Sequence, residues 1–399
     1  MIETSRLLAT PDPGLPEHLA HYGQLPSCTS ELISEIDASG LTGRGGAGFP
    51  TGRKMAAVKG AKRVIVGNGA EGEPLSRKDF ALLNRAPHLV LDGLDAAASA
   101  LNADRTYLYV HPAAYRAVTA AIEERRTAGI ELHRIKVVEA PDEYVAGEET
   151  AAIRCIEGGA ALPRDRTAPT ATRGVHGKPT LVNNVETLAN IALIARFGPT
   201  WFRATGDPAD PGTVLVSLST TLNRPTVVEV PTGTPLIELI ELSGTRPSDV
   251  SAVLLGGYHG TWLTATELAT ARLSGPALKP LGASPGARII HILGHDACGL
   301  ARVAEITGYL ADQSARQCGP CRNGLPQLAG LIDELAAGQA SAATMRELLR
   351  IAQLVDGRGA CRHPDGSVRM IRSALRAFAD DVELHLRGRC SAAATAGRC

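Results

Sequence analysis

Three short runs rich in β-branched and aromatic residues alternate with helical stretches between residues 63 and 140, and this alternation limits the fold more than any other feature. The runs are RVIVGN, RTYLYVHP and HRIKVVEA. Strands that alternate with helices form βαβ units, whose strands lie parallel in one sheet. The sequence therefore predicts an α/β domain built on a mainly parallel sheet.

The character of the chain changes twice further on, and 399 residues are enough for two or three domains. We expect the α/β domain, with an N-terminal helical segment, to occupy residues 1–211. Short β-rich pieces such as TVLVSLS predict a small α+β domain over 212–295, and a helical domain with cysteine-bearing loops follows over 296–390. The Ala-rich tail, 391–399, is predicted to be disordered.

The balance of charges limits the possible partners. The chain has 41 Lys and Arg residues against 41 Asp and Glu residues. This balance argues against nucleic acid or an anionic membrane as the main partner. The apolar runs are too short to span a bilayer and the start lacks the pattern of a signal peptide, so we expect a soluble cytoplasmic protein.

A glycine-rich loop, GRGGAGFPTG, follows the first helical segment. Gly43, Gly45 and Gly48 fit the pattern G-x-G-x-x-G, but no strand precedes them, so the usual dinucleotide-binding context is missing. Glycines allow backbone N–H groups to approach an anion, and Arg44 and Lys54 add positive charge. We interpret the segment as a loop that binds a phosphate or a flavin, with a purely structural turn as the alternative.

Polar residues also follow the predicted strands, in the segments GNGAEGEP, YVAGEETAA and KPTLVNNVET. Open α/β sheets bind ligands at the carboxyl ends of their strands, where such side chains can contact ribose or carboxamide groups. Each segment alone could be a solvated polar turn, but together they indicate a ligand site. The candidate residues are Asn68, Glu71, Glu73, Gly147, Glu148, Glu149, Asn183 and Asn184.

The segment CGPC contains Cys318 and Cys321. A thioredoxin-type dithiol would leave a strand and open a helix, whereas a polar helical stretch precedes this segment. Cys361, followed by His363, lies about forty residues further on. Thiolates from two loops favour a metal centre, either an iron–sulfur cluster or a Cys₃His zinc site, and the spacing does not separate the two.

Taken together and in this order, these segments resemble the flavin- and NADH-binding subunit of respiratory complex I (the F subunit of NADH-quinone oxidoreductase), whose relatives serve NAD-linked hydrogenases and formate dehydrogenases. The resemblance runs from about Ser30 to Arg387. It implies a Rossmann-like flavin-binding domain, a β-grasp domain of the soluble-ligand-binding type and a C-terminal helical bundle with a [4Fe–4S] cluster. In that family FMN takes a hydride from NADH and passes single electrons to the cluster.

The resemblance also implies a role for each candidate residue. Glu73 and Glu149 would face the nicotinamide as catalytic residues, and Cys318, Cys321 and Cys361 would bind the cluster. A ferredoxin-like iron–sulfur protein or [2Fe–2S] subunit is implied as a partner within a multi-subunit complex. The residues implied to hold FMN and the bound dinucleotide are Gly43, Arg44, Gly45, Gly46, Gly48, Phe49, Lys54, Asn68, Glu71, Gly147, Glu148, Asn183, Asn184 and Thr187.

Three departures from the family pattern affect these roles. Ala315 occupies the position of the first cysteine in the family motif C-x-x-C-x-x-C, so the chain would hold a [4Fe–4S] cluster with an unusual or missing fourth ligand, or a [3Fe–4S] cluster. Water, His363, Cys298 or a partner residue could supply the fourth ligand. Ala70 replaces an acidic residue of the flavin site. Ala57 and the segment RTAPT replace aromatic rings around the adenine, each worth about 0.5–1.5 kcal/mol.

Two functions remain open at this point. The first is an FMN-dependent module that passes electrons between NAD(P)H and an iron–sulfur protein acceptor. The second is a diverged subunit that binds flavin without oxidising NADH and acts as an electron relay or an assembly scaffold. A structural protein stabilised by zinc is a third and weaker alternative, because zinc and iron share these ligand types.

Overall fold

The computed structural model describes residues 5–130, 133–165, 168–221, 223 and 225–392. Arg166 and Thr167 of the segment RTAPT, and residues 393–399 of the predicted tail, lie outside the described residues. The chain forms two compact units. The first contains Met1–Ser217, Val227–Thr234 and Leu273–Pro276, and the second contains Leu218–Thr226, Pro235–Arg272 and Ala277–Cys399.

The first unit is built on a four-stranded sheet with the order β3-β2-β1-β4, in which every pair is parallel. The predicted parallel α/β architecture is therefore confirmed. Its strands are β1 (Val64–Gly69), β2 (Arg105–Val110), β3 (Ile135–Glu139) and β4 (Thr180–Asn184), and β5 (Gly206–Asp207) and β6 (Asp210–Pro211) form a separate two-stranded ladder.

Among the described residues, eight helices belong to the same part of the chain, with single 3₁₀ turns at Tyr144–Gly147 and Val175–Gly177. They are α1 (Leu15–Tyr22), α2 (Glu31–Ser39), α3 (Thr51–Ala56), α4 (Lys78–Arg85), α5 (Pro87–Ala100), α6 (Pro112–Ala128), α7 (Glu149–Ile156) and α8 (Val185–Arg203).

The core of this unit lies around β1, α5 and α8. Ile65 of β1 and Leu188 of α8 are fully buried, and almost every residue of α5 is buried. The two helices pack so closely that a Cβ atom added at Gly93 would lie 1.8 Å from the carbonyl oxygen of Leu188. This packing fixes the start of α8, which lies directly after β4.

The remaining strands form a five-stranded sheet in the order β10-β9-β11-β7-β8, and the boundary between the two units passes through β7 and β8. Strand β9 pairs antiparallel with β10 and with β11. The strands are β7 (Thr213–Thr220), β8 (Thr226–Pro231), β9 (Val250–Leu255), β10 (Thr261–Thr264) and β11 (Ile289–Gly294).

Helices dominate after β11, so the predicted C-terminal helical region is confirmed. None of the helices in the described residues is both long and apolar enough to cross a bilayer. The helices α9 (Leu236–Leu242), α10 (Ala265–Leu268) and α11 (Gly275–Leu278), with 3₁₀ turns at Pro247–Asp249 and Lys279–Leu281, lie before β11. The helices α12 (Gly299–Asp312), α13 (Leu325–Ala336), α14 (Ala342–Val355), α15 (His363–Ala377) and α16 (Ala379–His385), with a π-helical turn at Pro320–Gly324, follow it.

Candidate functional site

The strand order of the parallel sheet changes direction between β1 and β4. Strands β2 and β3 lie on one side of β1, and β4 lies on the other. Open α/β sheets bind ligands in the crevice at such a switch point, beyond the carboxyl ends of the strands. At this position Asn68 pairs in register with Asn184, and Gly67 pairs with Asn183. Three of the predicted residues are thus brought together at the switch point.

The glycine-rich loop lies against this edge of the sheet. A Cβ atom added at Gly45 would lie 3.1 Å from the Cβ atom of Asn184, so the loop backbone closely approaches the end of β4. The backbone N–H of Arg44 donates a hydrogen bond to Oγ1 of Thr187, 2.8 Å away in the first turn of α8. The loop and the candidate residues on β4 and α8 therefore form one continuous surface.

The loop is closed by its own backbone. The N–H of Gly43 donates to the carbonyl oxygen of Phe49 at 2.8 Å. Gly46 and Gly48 have φ angles of 110° and 63°, which favour glycine. Phe49, at the end of the loop, is 54% exposed. An exposed aromatic ring next to a glycine-rich loop is available to contact a bound ligand.

The predicted role of the Arg44 side chain needs correction. We expected its guanidinium to add positive charge for an anion, but the side chain is fully buried. Its Nη1 atom lies 3.2 Å from Oγ1 of Thr42 and 3.4 Å from Oδ1 of Asp210, and its Nη2 donates to the carbonyl of Pro211 at 3.0 Å. Asp210 compensates the charge inside the protein, so the contribution of Arg44 to the loop is its backbone N–H and its anchoring.

Lys54, on α3, contacts β4 and the start of α7. Its Nζ donates to the carbonyl of Val182 at 2.5 Å and lies 3.1 Å from Oε1 of Glu149. Thr170 donates a second hydrogen bond to the same carboxylate oxygen at 3.0 Å. Both charged side chains remain partly exposed. The structure thus places Lys54 and Glu149, predicted from distant segments, in one ion pair.

Asn183 carries the clearest indication of a bound ligand. Its side chain is only 5% exposed, and Nδ2 has no hydrogen-bond partner among the described residues. A buried donor without a partner destabilises a fold by about 1–3 kcal/mol. FMN offers carbonyl, ribityl and phosphate oxygens that could accept this bond. The residues at the switch point therefore fit the group that the sequence implies.

Two predicted carboxylates are occupied as helix caps. Glu71 accepts hydrogen bonds from the backbone N–H groups of Asp79 and Phe80, at 3.1 and 2.9 Å, at the start of α4. Glu148 is the N-cap of α7 and accepts a bond from the N–H of Thr150 at 2.8 Å. These bonds satisfy N–H groups that have no partner within the helix. Both residues therefore orient the loops of the site.

Two loops of the site are joined to each other. Asn68 donates from Nδ2 to the carbonyl of Gly147 at 2.9 Å, and the hydroxyl of Tyr144 donates to Oε2 of Glu73 at 3.2 Å. The backbones approach so closely that a Cβ atom added at Gly72 would lie 2.2 Å from the carbonyl oxygen of Glu143. The loop after β1 and the loop after β3 therefore form one wall of the site. The sequence did not indicate Tyr144 as a candidate.

A buried ion cluster beneath this edge was also missed. Nζ of Lys78 lies 2.7 Å from Oδ1 of Asp79, 3.0 Å from Oε2 of Glu186 and 3.3 Å from Oδ1 of Asn184. Burial raises the pKa of Asp79 to about 7. Burial opposes the charge of Lys78, but the carboxylates of Asp79 and Glu186 outweigh it and raise the pKa of the lysine. Nδ2 of Asn184 donates to Asp79 at 2.7 Å, so this cluster fixes the orientation of a predicted ligand residue.

The second candidate site contains Cys318, Cys321 and Cys361. Cys321, in the π-helical turn before α13, is 2% exposed, and the other two are half-buried. Burial raises the pKa of Cys321 to about 12, and the nearby thiols of Cys318 and Cys361 also act to raise it. A cavity of about 500 Å³ adjoins Cys321 and is lined in part by Arg316 and Arg322. Cys318 and Cys361 are thus near enough to influence the thiol of Cys321, and thiols with arginines nearby fit a negatively charged metal–sulfur cluster.

Two of the proposed sources of a fourth ligand are engaged elsewhere. Nε2 of His363 lies 2.8 Å from the carbonyl of Leu310, and its Nδ1 lies 3.1 Å from Nε2 of His259. Both ring nitrogens are therefore used. Cys298 lies in a different side-chain cluster, described below. Neither residue is placed to complement the three thiols, so the expectations that remain are a fourth ligand from water or a partner residue, or a [3Fe–4S] cluster.

The fold and the two sites define an electron-transfer flavoprotein with an iron–sulfur centre. Two protein-family profiles agree: the Nuo51 FMN-binding domain matches residues 36–193, and the NADH-ubiquinone oxidoreductase-F iron-sulfur binding region matches residues 301–385. The second range includes all three cysteines of the candidate cluster.

Solved structures give the same result. In the H2-reduced state of the NAD+-reducing [NiFe]-hydrogenase, one chain is 30% identical with a TM-score of 0.80, over 90% of this chain. In the air-oxidized state the identity is 30% and the TM-score 0.85, over 96% of this chain. This chain spans 62% of the matched hydrogenase chain in the first structure and 67% in the second.

Curated relatives of similar length are F subunits of NADH-quinone oxidoreductase. The NADH-quinone oxidoreductase F subunit of Streptomyces coelicolor is 31% identical over 92% of this chain and 85% of its own length. The F subunit of Mycobacterium tuberculosis H37Rv is 32% identical over 90% of this chain and 85% of its own length. The chain belongs to the family of NADH-quinone oxidoreductase F subunits. The predicted FMN- and iron–sulfur-dependent oxidoreductase of the NADH dehydrogenase type is thereby confirmed.

Proposed function

We propose that this chain binds FMN at the switch point between β1 and β4. Electrons from NADH would pass through an iron–sulfur cluster held by Cys318, Cys321 and Cys361 to an iron–sulfur protein. The observation that carries the proposal is the buried Nδ2 of Asn183, which has no hydrogen-bond partner among the described residues and lies where α/β sheets bind ligands. Bound FMN would supply the chemistry, because it accepts two electrons as a hydride and releases them singly.

In this proposal the chain positions the flavin with neutral donors and backbone groups. Asn183 would donate from Nδ2 to a flavin oxygen, and the backbone N–H groups of Gly45 and Gly46 would bind the phosphate. Of the two predicted cations, Lys54 is the one that remains partly exposed, and it is paired with Glu149. Asn68 and Asn184, with the caps Glu71 and Glu148, hold the loops in place, and Thr187 anchors the loop to α8.

The nicotinamide side is assigned to Glu73, Glu149 and Phe49. Tyr144 orients the carboxylate of Glu73, and Lys54 orients that of Glu149, so both can accept hydrogen bonds from a carboxamide or ribose. The ring of Phe49, at the end of the glycine-rich loop, is exposed and would be free to contact the dinucleotide. Ala57, which is exposed after α3, occupies the position of an aromatic ring that the family uses to stack on the adenine. We therefore expect NADH to bind weakly.

We further propose the finer organisation that the family implies. Residues 1–211 would form the FMN and NAD domain, 212–295 a β-grasp domain and 296–390 the iron–sulfur domain. A cytoplasmic location, expected from the sequence, is part of the same proposal. A ferredoxin-like or [2Fe–2S] partner would take the electrons within a multi-subunit complex. A pull-down from the native host that recovers no iron–sulfur protein would contradict this partner.

The test is an anaerobic visible-light titration of the FMN-loaded protein with NADH. Bleaching of the flavin band is expected, and bleaching already at stoichiometric NADH would show that the site works despite the missing ring at Ala57. Glu149→Gln should require more NADH because it removes the ion pair with Lys54, whereas Glu123→Gln, on the exposed surface of α6, should titrate like the parent protein. If FMN binds but stays oxidised at millimolar NADH, the hydride-donor role fails.

That second outcome would favour the electron-relay or scaffold function. The observation that favours the relay or scaffold function is the loss of ring stacking at Ala57. Ala57→Phe would then separate the two explanations. Recovery of flavin bleaching in this variant would show that weak NADH binding alone had silenced the site, whereas continued inactivity would leave reduced ferredoxin as the next electron donor to test.

A further inference from the structure

A second cluster of metal-binding side chains lies in the helical region, formed by Cys298, His385 and Cys390. One donor atom from each residue lies within 4.8 Å of the others. Sγ of Cys298, the residue before α12, lies 3.5 Å from Nε2 of His385, the last residue of α16. Cys298 and His385 are 87 positions apart in the sequence, so it is the fold that brings them together.

The orientation of His385 is that of a metal ligand. Its ring is only 1% exposed, and Nδ1 lies 3.1 Å from the carbonyl oxygen of Leu335. A carbonyl can only accept a hydrogen bond, so Nδ1 carries the proton and Nε2 presents its lone pair towards Cys298. Metal-binding histidines commonly use one nitrogen for the metal and donate from the other to a carbonyl or carboxylate.

The surroundings of Cys298 suit a thiolate bound to a cation. Its Sγ accepts a hydrogen bond from the backbone N–H of Ala301 at 3.4 Å and caps the N-terminus of α12, where the helix dipole favours negative charge. A bound metal ion would stabilise the sulfurs of both Cys298 and Cys390 as thiolates.

We infer that Cys298, His385 and Cys390 form a zinc site separate from the cluster at Cys318, Cys321 and Cys361. Two thiolates and one imidazole are ligands that zinc prefers, and a water molecule would complete the tetrahedron. Such a site would fasten the end of α16, and the turn that follows it, to the start of α12. It would therefore stabilise the helical region that carries the iron–sulfur cysteines.

The first experiment measures the zinc and iron content of the purified holoprotein by inductively coupled plasma mass spectrometry. Equimolar zinc and protein are expected. Cys298→Ser should lose the zinc while keeping its iron, because serine can still cap α12. His385→Asn should also lose the zinc, because it removes the imidazole ligand. The asparagine amide can still donate to the carbonyl of Leu335, so the packing should be kept. Cys155→Ser is the matched control, since Cys155 is half-buried outside both clusters.

Further measurements test whether the variants fold normally and whether Cys298 and Cys390 form a disulfide instead of a metal site. Both variants should keep the circular dichroism of the parent protein. Cys361→Ser should keep its zinc while losing iron, which separates this site from the proposed electron-transfer function. Two results would overturn the inference: zinc content that is equally low in the parent, Cys298→Ser and Cys155→Ser proteins, or a disulfide between Cys298 and Cys390 found by peptide mapping under non-reducing conditions.

Discussion

Replacing Asn183 by leucine should have opposite effects on the empty and the flavin-bound protein. The two side chains are close in shape, and the replaced Nδ2 is buried without a partner among the described residues. Removing an unsatisfied buried donor should raise the free energy of unfolding of the apoprotein by about 1–3 kcal/mol. The same change removes a hydrogen bond to FMN and should weaken its binding.

The magnitude for binding follows from the same quantity. In the complex the parent amide is satisfied, so the leucine variant loses about 1–3 kcal/mol of binding free energy, which corresponds to about a 5- to 150-fold weaker affinity. Apoprotein stability is measured by urea unfolding, and FMN affinity by quenching of flavin fluorescence. The informative result is the combination of a more stable apoprotein with weaker FMN binding.

Asn190→Leu is the matched control. Asn190 is also fully buried, but its Nδ2 already donates to the carbonyl of Glu186 at 2.8 Å. Its replacement should destabilise the apoprotein by about 0.5–1.5 kcal/mol and leave FMN affinity unchanged. The reasoning would be refuted if Asn183→Leu behaved like this control, with a less stable apoprotein and normal FMN binding.

Three further predictions concern the cluster, acid stability and helix packing. Ala315→Cys adds a fourth thiolate, so the visible absorbance of the cluster should decay more slowly in air; an unchanged rate would contradict the assignment. Burial lowers the pKa of His291 to about 3, so the unfolded chain binds a proton at higher pH than the folded protein does. Unfolding free energy should therefore fall as the pH drops from about 6.5 towards 3, by up to about 1.4 kcal/mol per pH unit, and urea titrations of His291→Gln should show a shallower slope. Gly93→Ala should destabilise the protein by about 1–3 kcal/mol or more, because its Cβ would meet Leu188, whereas Gly330→Ala, with open space around it, should be neutral or stabilising in thermal unfolding.

The parallel sheet could be predicted because its signal is local. The residues VIVGNG of β1 and RTYLYV of β2 are each short, apolar and bounded by helical stretches, and parallel pairing follows from that alternation. The convergence of Cys318, Cys321 and Cys361 could be proposed from the types of residue alone. The cluster of Cys298, His385 and Cys390 could not, because its members share no spacing and meet only when α12 and α16 are packed.

The ligand site shows a different limit of sequence reasoning. In a βα unit the carboxyl end of a strand is also the start of a helix, so one short loop must supply both ligand contacts and helix caps. The same carboxylates and amides serve both purposes, and Glu71, Glu148 and Asn184 are used as caps or anchors in this structure. Asn183 is different, because it lies inside β4 and its amide caps no helix in the described residues. A buried amide within a strand at a switch point is therefore a stronger indication of a ligand than a polar residue in the loop beside it, and the Asn183 variant tests that distinction directly.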